Sequence, residues 1–538
     1  MHAYTDIDGV PSAADESLLT DLLRDEWGFT GTVVADYFGI AFLKLLHGVA
    51  GDWAEAAGAA LAAGVDVELP TVKTFGAPLL DAVRAGTIPE SLIDRAVRRV
   101  LAQKADLGLL DPDWSPVPEA LVGVDLDDTE AVRAAIDLDS AANRATAREI
   151  AEQSIVLLSN DGTLPLAGAT TTTPARIAAI GPTATDPFAV LGCYSFPAHV
   201  GVQHPSEPVG IELPTLVESL TAEFDGSVVE YTQGTTIDGG ETDGIEAAVA
   251  AARGADVAIV ALGDRAGLFG RGTSGEGCDA ESLSLPGAQQ QLLDAVLATG
   301  TPTIVVLLAG RPYALGGAVT GAAAIVQSFF PGEEGTSAIA GVLSGRINPS
   351  GRLPVSVPAS PGAQPSTYLA SPLARKSGVS NIDTSPAFAF GHGIGYSSFE
   401  WTGLETGHDS ITTDGSATLG LRVRNTGDRA GTEIVQLYLH DPVATVVRPV
   451  QRLIGYLRVD LEAGEDVALS VDVPADLAAY TSRSGERIVE AGEIVLGFGR
   501  SSSDIPITHS VQFTGPTRVV GTDRALHAVF SQRSRRTA

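Results

Sequence analysis

Two carboxylates in this chain stand at positions where an acid can do chemistry. Asp36 ends the apolar run Val33-Val34-Ala35 in "GTVVADYFGI", and the C-terminal ends of buried parallel strands are where barrel enzymes place their reacting groups. The same position suits a helix cap, because an Asp oxygen accepts the unpaired N–H groups of a helix start. Glu276 sits between glycines in "SGEGCD", inside a long glycine-rich loop that follows "VAIVALG". A solvated loop acid is the alternative there. As a pair, one acting as nucleophile and one as proton donor, two such acids about 5 to 5.5 Å apart cleave a glycosidic bond with retention of configuration.

The elements that must position these acids fall into three patterns. Residues 1–111 alternate strand-like and helix-like pieces, with "SLLTDLLRDEWGF" and "DWAEAAGAALAAG" as helices and "GTVVADY" and "VDVELP" as buried strands. "GAPLLDAVRAG" and "PESLIDRAVRRVLAQKADLGL" follow as helices, the second opened by Pro89. This amounts to two βα units and part of a third, whereas a closed barrel needs eight, so the segment reads as the tail of a larger βα array; the resemblance given below makes it the C-terminal part of a (β/α)8 barrel. Residues 112–145 are Pro-rich and acidic, then weakly helical, as a linker is. Residues 146–390 alternate again, with strands such as "ARIAAIGP", "SVVEYTQG", "ADVAIVALG", "TPTIVVLLAG" and "AAAIVQSFFPG" predicting a mostly parallel sheet in an α/β sandwich domain. Across 391–516 the period drops to two, in "ATLGLRVRN", "TEIVQLYLH", "QRLIGYLRV", "DVALSVDV" and "EIVLGFG", which predicts an antiparallel β-sandwich. Residues 517–538, ending "SQRSRRTA", read as a mobile polar tail. The fold class is therefore multidomain α/β.

Charge and cysteine usage narrow the function classes. A formal net charge of −32 over 538 residues argues against nucleic acid or an anionic membrane surface as partner. The glycine-rich loop lacks a following Gly-Lys-Ser/Thr, so it is not a phosphate cradle. Cys193 and Cys278 have no CxxC spacing and too few nearby histidines for zinc; free thiols are expected, with a single bridge as the alternative. No metal or cofactor is called for. "MHAYTDIDGV" lacks the basic start and apolar core of a signal peptide, and no uninterrupted apolar run reaches membrane-spanning length, so a cytoplasmic location is the expectation.

Seven motifs in order, "DGVPSAADESLLTDLLRDEWGFTGTVVADYFGI", "AGVDVELP", "SIVLLSNDGTLPL", "IAAIGP", "SGEGCDAESLSLPGAQQQLL", "FPGEEGTSAIAGVLSGRINPSGRLPVSVP" and "FAFGHGIGYSSFEW", closely resemble glycoside hydrolase family 3 across nearly the whole chain. The resemblance implies a (β/α)8 barrel, an α/β-sandwich domain and a fibronectin type III-like domain. It places the family's nucleophile at Asp36, in "VVADY", and its acid/base at Glu276, in "SGEG". Tyr4 and Tyr37 are then candidates to line the sugar subsite, with packing as their alternative role. Asp66 and Glu68 read as turn and hydrogen-bonding residues, and Arg311, His392 and Trp401 as structural.

The implied activity is that of a retaining, exo-acting β-glycosidase acting on terminal β-D-glucosyl or β-D-xylosyl residues of an oligosaccharide or an aryl or alkyl β-glycoside. A β-N-acetylglucosaminidase, or a noncatalytic carbohydrate-binding or assembly protein, are the alternatives. By the same resemblance the chain starts at what would be the sixth barrel strand, upstream of which relatives carry the Asp, Arg and Lys-His residues that hold sugar hydroxyls. An open barrel piece exposes strand edges, so a complementing N-terminal barrel fragment or a homo-oligomer is an expected partner. Purified residues 1–538 are accordingly expected to give little or no turnover of an aryl β-glycoside; measurable release of the aryl group would contradict this.

Overall fold

In the computed structural model, residues 1–167, 173–362 and 367–536 are described. The chain divides into two compact units, Met1–Leu138 and Asp139–Ala538.

The first unit is mostly helical. Ser17–Glu26 winds as a π-helix and is followed by α-helices Gly39–Leu45, Trp53–Ala63, Ala77–Arg84 and Glu90–Asp106. Pro89 stands at the N-cap of the last of these, as its missing N–H allows. The two expected strands meet through a single parallel bridge, Val34 with Val67. Around it Ala35 N–H donates to Val67 O at 2.8 Å, and Asp66 N–H donates to Val33 O at 2.8 Å. Val33, Ala35 and Val65 are fully buried against Ile40, Leu43, Ala56 and Ala60, so the apolar runs drive burial here more than ladder formation.

The second unit opens on a six-stranded sheet. Its order is Val156–Asn160, Ala324–Gln327, Thr303–Leu308, Val257–Gly263, Arg176–Ile180, Val228–Thr232. The first pair is antiparallel and the others are parallel. Val257–Gly263 and Thr303–Leu308 are buried at every residue, which explains their continuous apolar sequence. Val257, Ile259 and Ala261 pack on one face, with Leu216, Leu220, Ile339 and Leu343. Ala258, Val260 and Leu262 pack on the other, with Ala248, Ala252, Leu292 and Val296. The strand Val156–Asn160 lies within a motif the sequence reading used only for resemblance; its antiparallel edge position follows from one short apolar stretch with no helix crossing back.

Two antiparallel layers follow. One runs Ser410–Thr412, Ile507–Thr514, Gly492–Gly499, Gly431–His440, Arg452–Leu461, with only the Ser410–Thr412 pairing parallel. The other runs Val529–Arg536, Asp466–Pro474, Ser416–Asn425, Phe399–Thr406. Ala417, Leu419, Leu421 and Val423 alternate inward and meet Val435, Leu437, Leu496 and Phe498 across the interior. The segment 517–538 differs from the mobile tail expected of it: Val529–Arg536 pairs antiparallel with Asp466–Pro474. Pairing at a sheet edge uses backbone groups and one apolar anchor, here Phe530, so its polar composition concealed it; residues 537 and 538 lie outside the described residues.

The sheet and the sandwich are joined through "AFGHGIGY". His392 Nε2 lies 2.8 Å from Leu158 O, and its ring stacks on Phe388 at 5.3 Å. Gln436 donates to Gly391 O at 2.9 Å and to Arg500 O at 2.7 Å, while Tyr438 O–H donates to Gln436 Oε1 at 2.6 Å. Gly391 has φ +81°, and a Cβ there would fall 2.1 Å from Gln436 Oε1. Glu433 is buried between Arg352 at 3.4 Å and Arg500 at 3.7 Å, and Arg500 also lies over the Trp401 ring at 4.6 Å.

Burial holds the His392 imidazole below its ordinary pKa of 6.5, despite the bond to Leu158 O that favours the protonated ring; Arg352 adds to the lowering. A depressed folded-state value means that the unfolded chain takes up the proton first, so this stability is complete above about pH 6.5 and is lost as pH falls below it. His392→Gln keeps an N–H donor and does not titrate. Its urea midpoint is expected to fall less than that of the unchanged protein between pH 7.5 and 5.5, and an identical fall in both would contradict the assignment.

Candidate functional site

Asp36 leaves the parallel bridge half-buried, at the end of a strand whose next residues turn sharply. Its Oδ1 accepts the N–H of Tyr37 at 2.8 Å, and its carbonyl accepts the N–H of Gly39 at 2.8 Å. The helix that starts at Gly39 has Phe38 at its N-cap position and no side-chain cap bond. The carboxylate therefore does not serve as that helix's cap. Phe38 takes φ +62°, a left-handed conformation costly for a bulky residue, and its N–H is fixed by Leu69 O at 2.8 Å. Backbone strain thus sits two residues from the candidate nucleophile.

Tyr4 and Tyr37 gather around the same turn. Tyr4 O–H donates to Tyr37 O at 2.8 Å, and the Tyr4 ring lies 5.2 Å from that of Phe42. Tyr37 is 56% exposed, which leaves its ring open to a ligand. His2 is buried beneath, with Nδ1 3.0 Å from Ala3 O. A Cβ on Gly39 would come 2.5 Å from His2 Cε1, so glycine is what lets the helix begin over the ring. Burial lowers the His2 pKa, and the nearby Asp36 charge opposes that lowering.

The acids after the second apolar run have structural partners. Asp66 accepts from Arg24 at 2.8 Å and Val33 N–H at 2.9 Å on one oxygen, and from Arg99 at 2.9 Å on the other. Glu68 accepts the N–H groups of Lys73, Thr74 and Phe75 and the hydroxyl of Thr74. Both hold the turn, the role read for them in sequence.

Glu276 belongs to the second unit. Its loop leaves the C-terminal end of Val257–Gly263, beside Arg176–Ile180, where the direction of the strand order reverses; open parallel sheets bind ligands at that switch point. Asp264 anchors the loop. Fully buried, it accepts from Tyr313 O–H at 2.5 Å, Thr273 O–H at 2.7 Å and Gly310 N–H at 2.9 Å. Burial first, then the Asp264 charge, pushes the Tyr313 phenol well above its usual range, so Tyr313 stays a donor. Arg311 donates to Thr273 O and Cys278 O. Arg265 pairs with Asp186 at 2.7 Å.

Inside this frame the loop returns on itself through the Ala266–Ser274 bridge, and Glu276 is exposed between Gly275 at φ +129° and Gly277 at φ +69°. A Cβ on Gly275 would lie 2.1 Å from Gly267 O and 2.8 Å from Cys193 Cβ, so only glycine fits. The Glu276 carboxylate accepts the hydroxyl of Tyr194, whose ring meets His199 edge-on at 5.7 Å. Cys193 and Cys278 are both free thiols. Sequence reasoning missed Tyr194, which lies 82 residues away and carries no local signal. It also missed Asp264, although an acid directly after "VAIVALG" was the same signal that singled out Asp36. Among the described residues no group of three His, Cys, Asp or Glu is placed to hold a metal, and no helix is long and apolar enough to cross a membrane.

Residues 1–103 match the Glycosyl hydrolase family 3 N terminal domain, 155–396 the Glycosyl hydrolase family 3 C-terminal domain, and 433–502 the Fibronectin type III-like domain. The chain is similar to a "Beta-xylosidase" of Formosa agariphila, 32% identical over 513 residues, covering 93% of this chain and 67% of that protein. It is similar as well to a "Periplasmic beta-glucosidase" of Salmonella typhimurium, 32% identical over 537 residues, covering 94% and 66%. A crystal structure of a β-glucosidase from Listeria innocua in complex with glucose superposes with a TM-score of 0.80 at 29% identity, covering 96% of this chain and 67% of that one. The chain spans about two thirds of the length of these relatives.

Arg311→Met removes the guanidinium from two loop carbonyls, each such charged bond being worth about 1.5 to 3 kcal/mol. Amide exchange across 265–278 is expected to accelerate at least about tenfold while that of 257–263 stays unchanged; equal exchange in both segments would refute the anchoring role.

Proposed function

Because the chain belongs to glycoside hydrolase family 3, we propose that it carries the catalytic acids of a retaining, exo-acting β-glycosidase for terminal β-D-glucosyl or β-D-xylosyl residues. The first unit then contributes part of a (β/α)8 barrel, and the second an α/β sandwich and a fibronectin type III-like sandwich. The observation that carries the reading is the placement of Asp36, a half-buried carboxylate two residues beyond the parallel bridge of Val34 with Val67, bonded by the next N–H and not occupied in capping a helix. The names of the relatives, β-xylosidase and β-glucosidase, support the substrate class.

In this reading Asp36 attacks the anomeric carbon while Glu276 gives its proton to the departing glycosidic oxygen; the bond to the aglycone breaks and a glycosyl ester forms on Asp36. Glu276, now a carboxylate, takes a proton from water, which attacks the same carbon and releases Asp36 with net retention. Glu276 on a glycine-flanked loop has the backbone freedom to exchange these two roles, with Tyr194 as its resting donor. Tyr37, through its exposed ring, and Tyr4, through the carbonyl it holds, shape the face on which the sugar lies.

Azide distinguishes the two acids. Supplied with a complementing N-terminal barrel fragment and an aryl β-glucoside bearing a good leaving group, Asp36→Ala is expected to lose the turnover that the complemented protein shows and, with azide, to yield the α-glycosyl azide, because azide enters from the vacated face. Glu276→Ala is expected to yield the β-glycosyl azide by attack on the glycosyl ester. Independently, in the same complemented protein, a 2-deoxy-2-fluoro glycoside is expected to leave an ester on Asp36, found by peptide mass. Labelling of another carboxylate, or undiminished turnover by Asp36→Ala, would overturn the assignment.

A further inference from the structure

We propose that the sandwich holds a binding site for a small oxyanion, a phosphate or carboxylate group, in a cavity of about 140 Å³ lined by Arg448, Arg452 and Arg487. At roughly 30 Å³ per water, that space accommodates a tetrahedral or planar oxyanion with accompanying waters. The inference is independent of the roles of Asp36 and Glu276.

Three features make the cavity a receptor for negative charge. First, the Nε atoms of all three arginines are buried without a hydrogen-bond partner among the described residues, and a buried donor left unpaired costs about 1 to 3 kcal/mol. Second, the forks are held in place. Arg452 donates to Leu477 O, and Arg487 Nη2 donates to Ala479 O at 3.1 Å. Arg448 lies over the Tyr480 ring, 4.5 Å from its centroid. Side chains fixed in this way lose little further freedom on taking up an anion.

Third, the lining is cationic on balance. Against three guanidinium groups stands one lining carboxylate, Asp441, 3.6 Å from Arg448 Nε. Glu490, the next acid, is engaged by the hydroxyls of Tyr480 and Thr445. Burial lowers the pKa of each of the three arginines, and neighbouring arginines lower it further, Arg487 for Arg448, Arg448 and Arg487 for Arg452, and Arg524 for Arg487. In a chain of net charge −32, a half-buried group of like cations is against the trend of the whole molecule. A bound oxyanion supplies both the missing acceptors and the missing charge.

Titration calorimetry of the full chain with inorganic phosphate, sodium glucuronate, glucose and sodium chloride at matched ionic strength tests this. One saturable site for phosphate, glucuronate or both is expected, with none for chloride and with any response to glucose unchanged by Arg487→Gln; the responding anion identifies whether the source is a free phosphate or a sugar acid. Arg487→Gln is expected to weaken binding at least tenfold. Asp441→Asn, which removes the competing carboxylate, is expected to tighten it, a change of sign that loss of packing would not produce. Absence of saturable binding by both anions, or unchanged affinity in a folded Arg487→Gln protein, would overturn the proposal.

Discussion

A single buried carboxylate, Asp264, holds the geometry of the second unit's candidate site. An acid with no exposure to water persists only if its oxygens are satisfied, and the donors that satisfy this one come from two separate pieces of chain: Thr273 from the glycine-rich loop, and Gly310 and Tyr313 from the segment after the neighbouring strand. Those bonds fix where the loop leaves the sheet and where it returns. Arg311 then takes the carbonyls of Thr273 and Cys278, and Glu276 is left exposed between them. Rigid attachment at the base and glycine freedom at the tip are complementary, because a catalytic acid must be aimed and must also change role during turnover.

The layers beneath impose the site's location. Strands buried on both faces need helices on both faces, and parallel strands need crossovers, so strand ends and their loops collect along one edge of the sheet. The strand order reverses between Arg176–Ile180 and Val257–Gly263, the position at which open parallel sheets receive their ligands. In the first unit the same logic acts through a single parallel bridge, Val34 with Val67, which delivers Asp36 to the turn where Phe38 and Tyr37 sit.

Much of this was legible in the sequence, for physical reasons that differ by element. The strands Val257–Gly263 and Thr303–Leu308 announce themselves because burial on both faces leaves an almost unbroken apolar run, with Thr303 alone polar at the start of the second, and Ser416–Asn425 does so because one buried face imposes a period of two. Helix Glu90–Asp106 begins at the proline that marks it. The closing strand Val529–Arg536 gave no such sign, because its pairing rests on main-chain groups. Local spacing left Asp36 open between a helix cap and a reacting group, since an acid before a helix looks the same whether or not its oxygens reach the helix N–H groups. Tyr194 beside Glu276 was beyond any local pattern, since contact between residues so far apart is a property of topology.

The order in which strands are joined has a bearing on synthesis. In the six-stranded sheet the outer strand Val156–Asn160 finds its partner only when Ala324–Gln327 has been made, and every strand of that sheet precedes residue 328. The sheet can therefore complete on the ribosome while the sandwich is still being translated. The sandwich itself cannot close so early, because the edge of Asp466–Pro474 stays uncovered until Val529–Arg536 emerges. A nascent chain paused between those strands presents an unpaired edge to its neighbours, a template for wrong pairing until the last strand covers it.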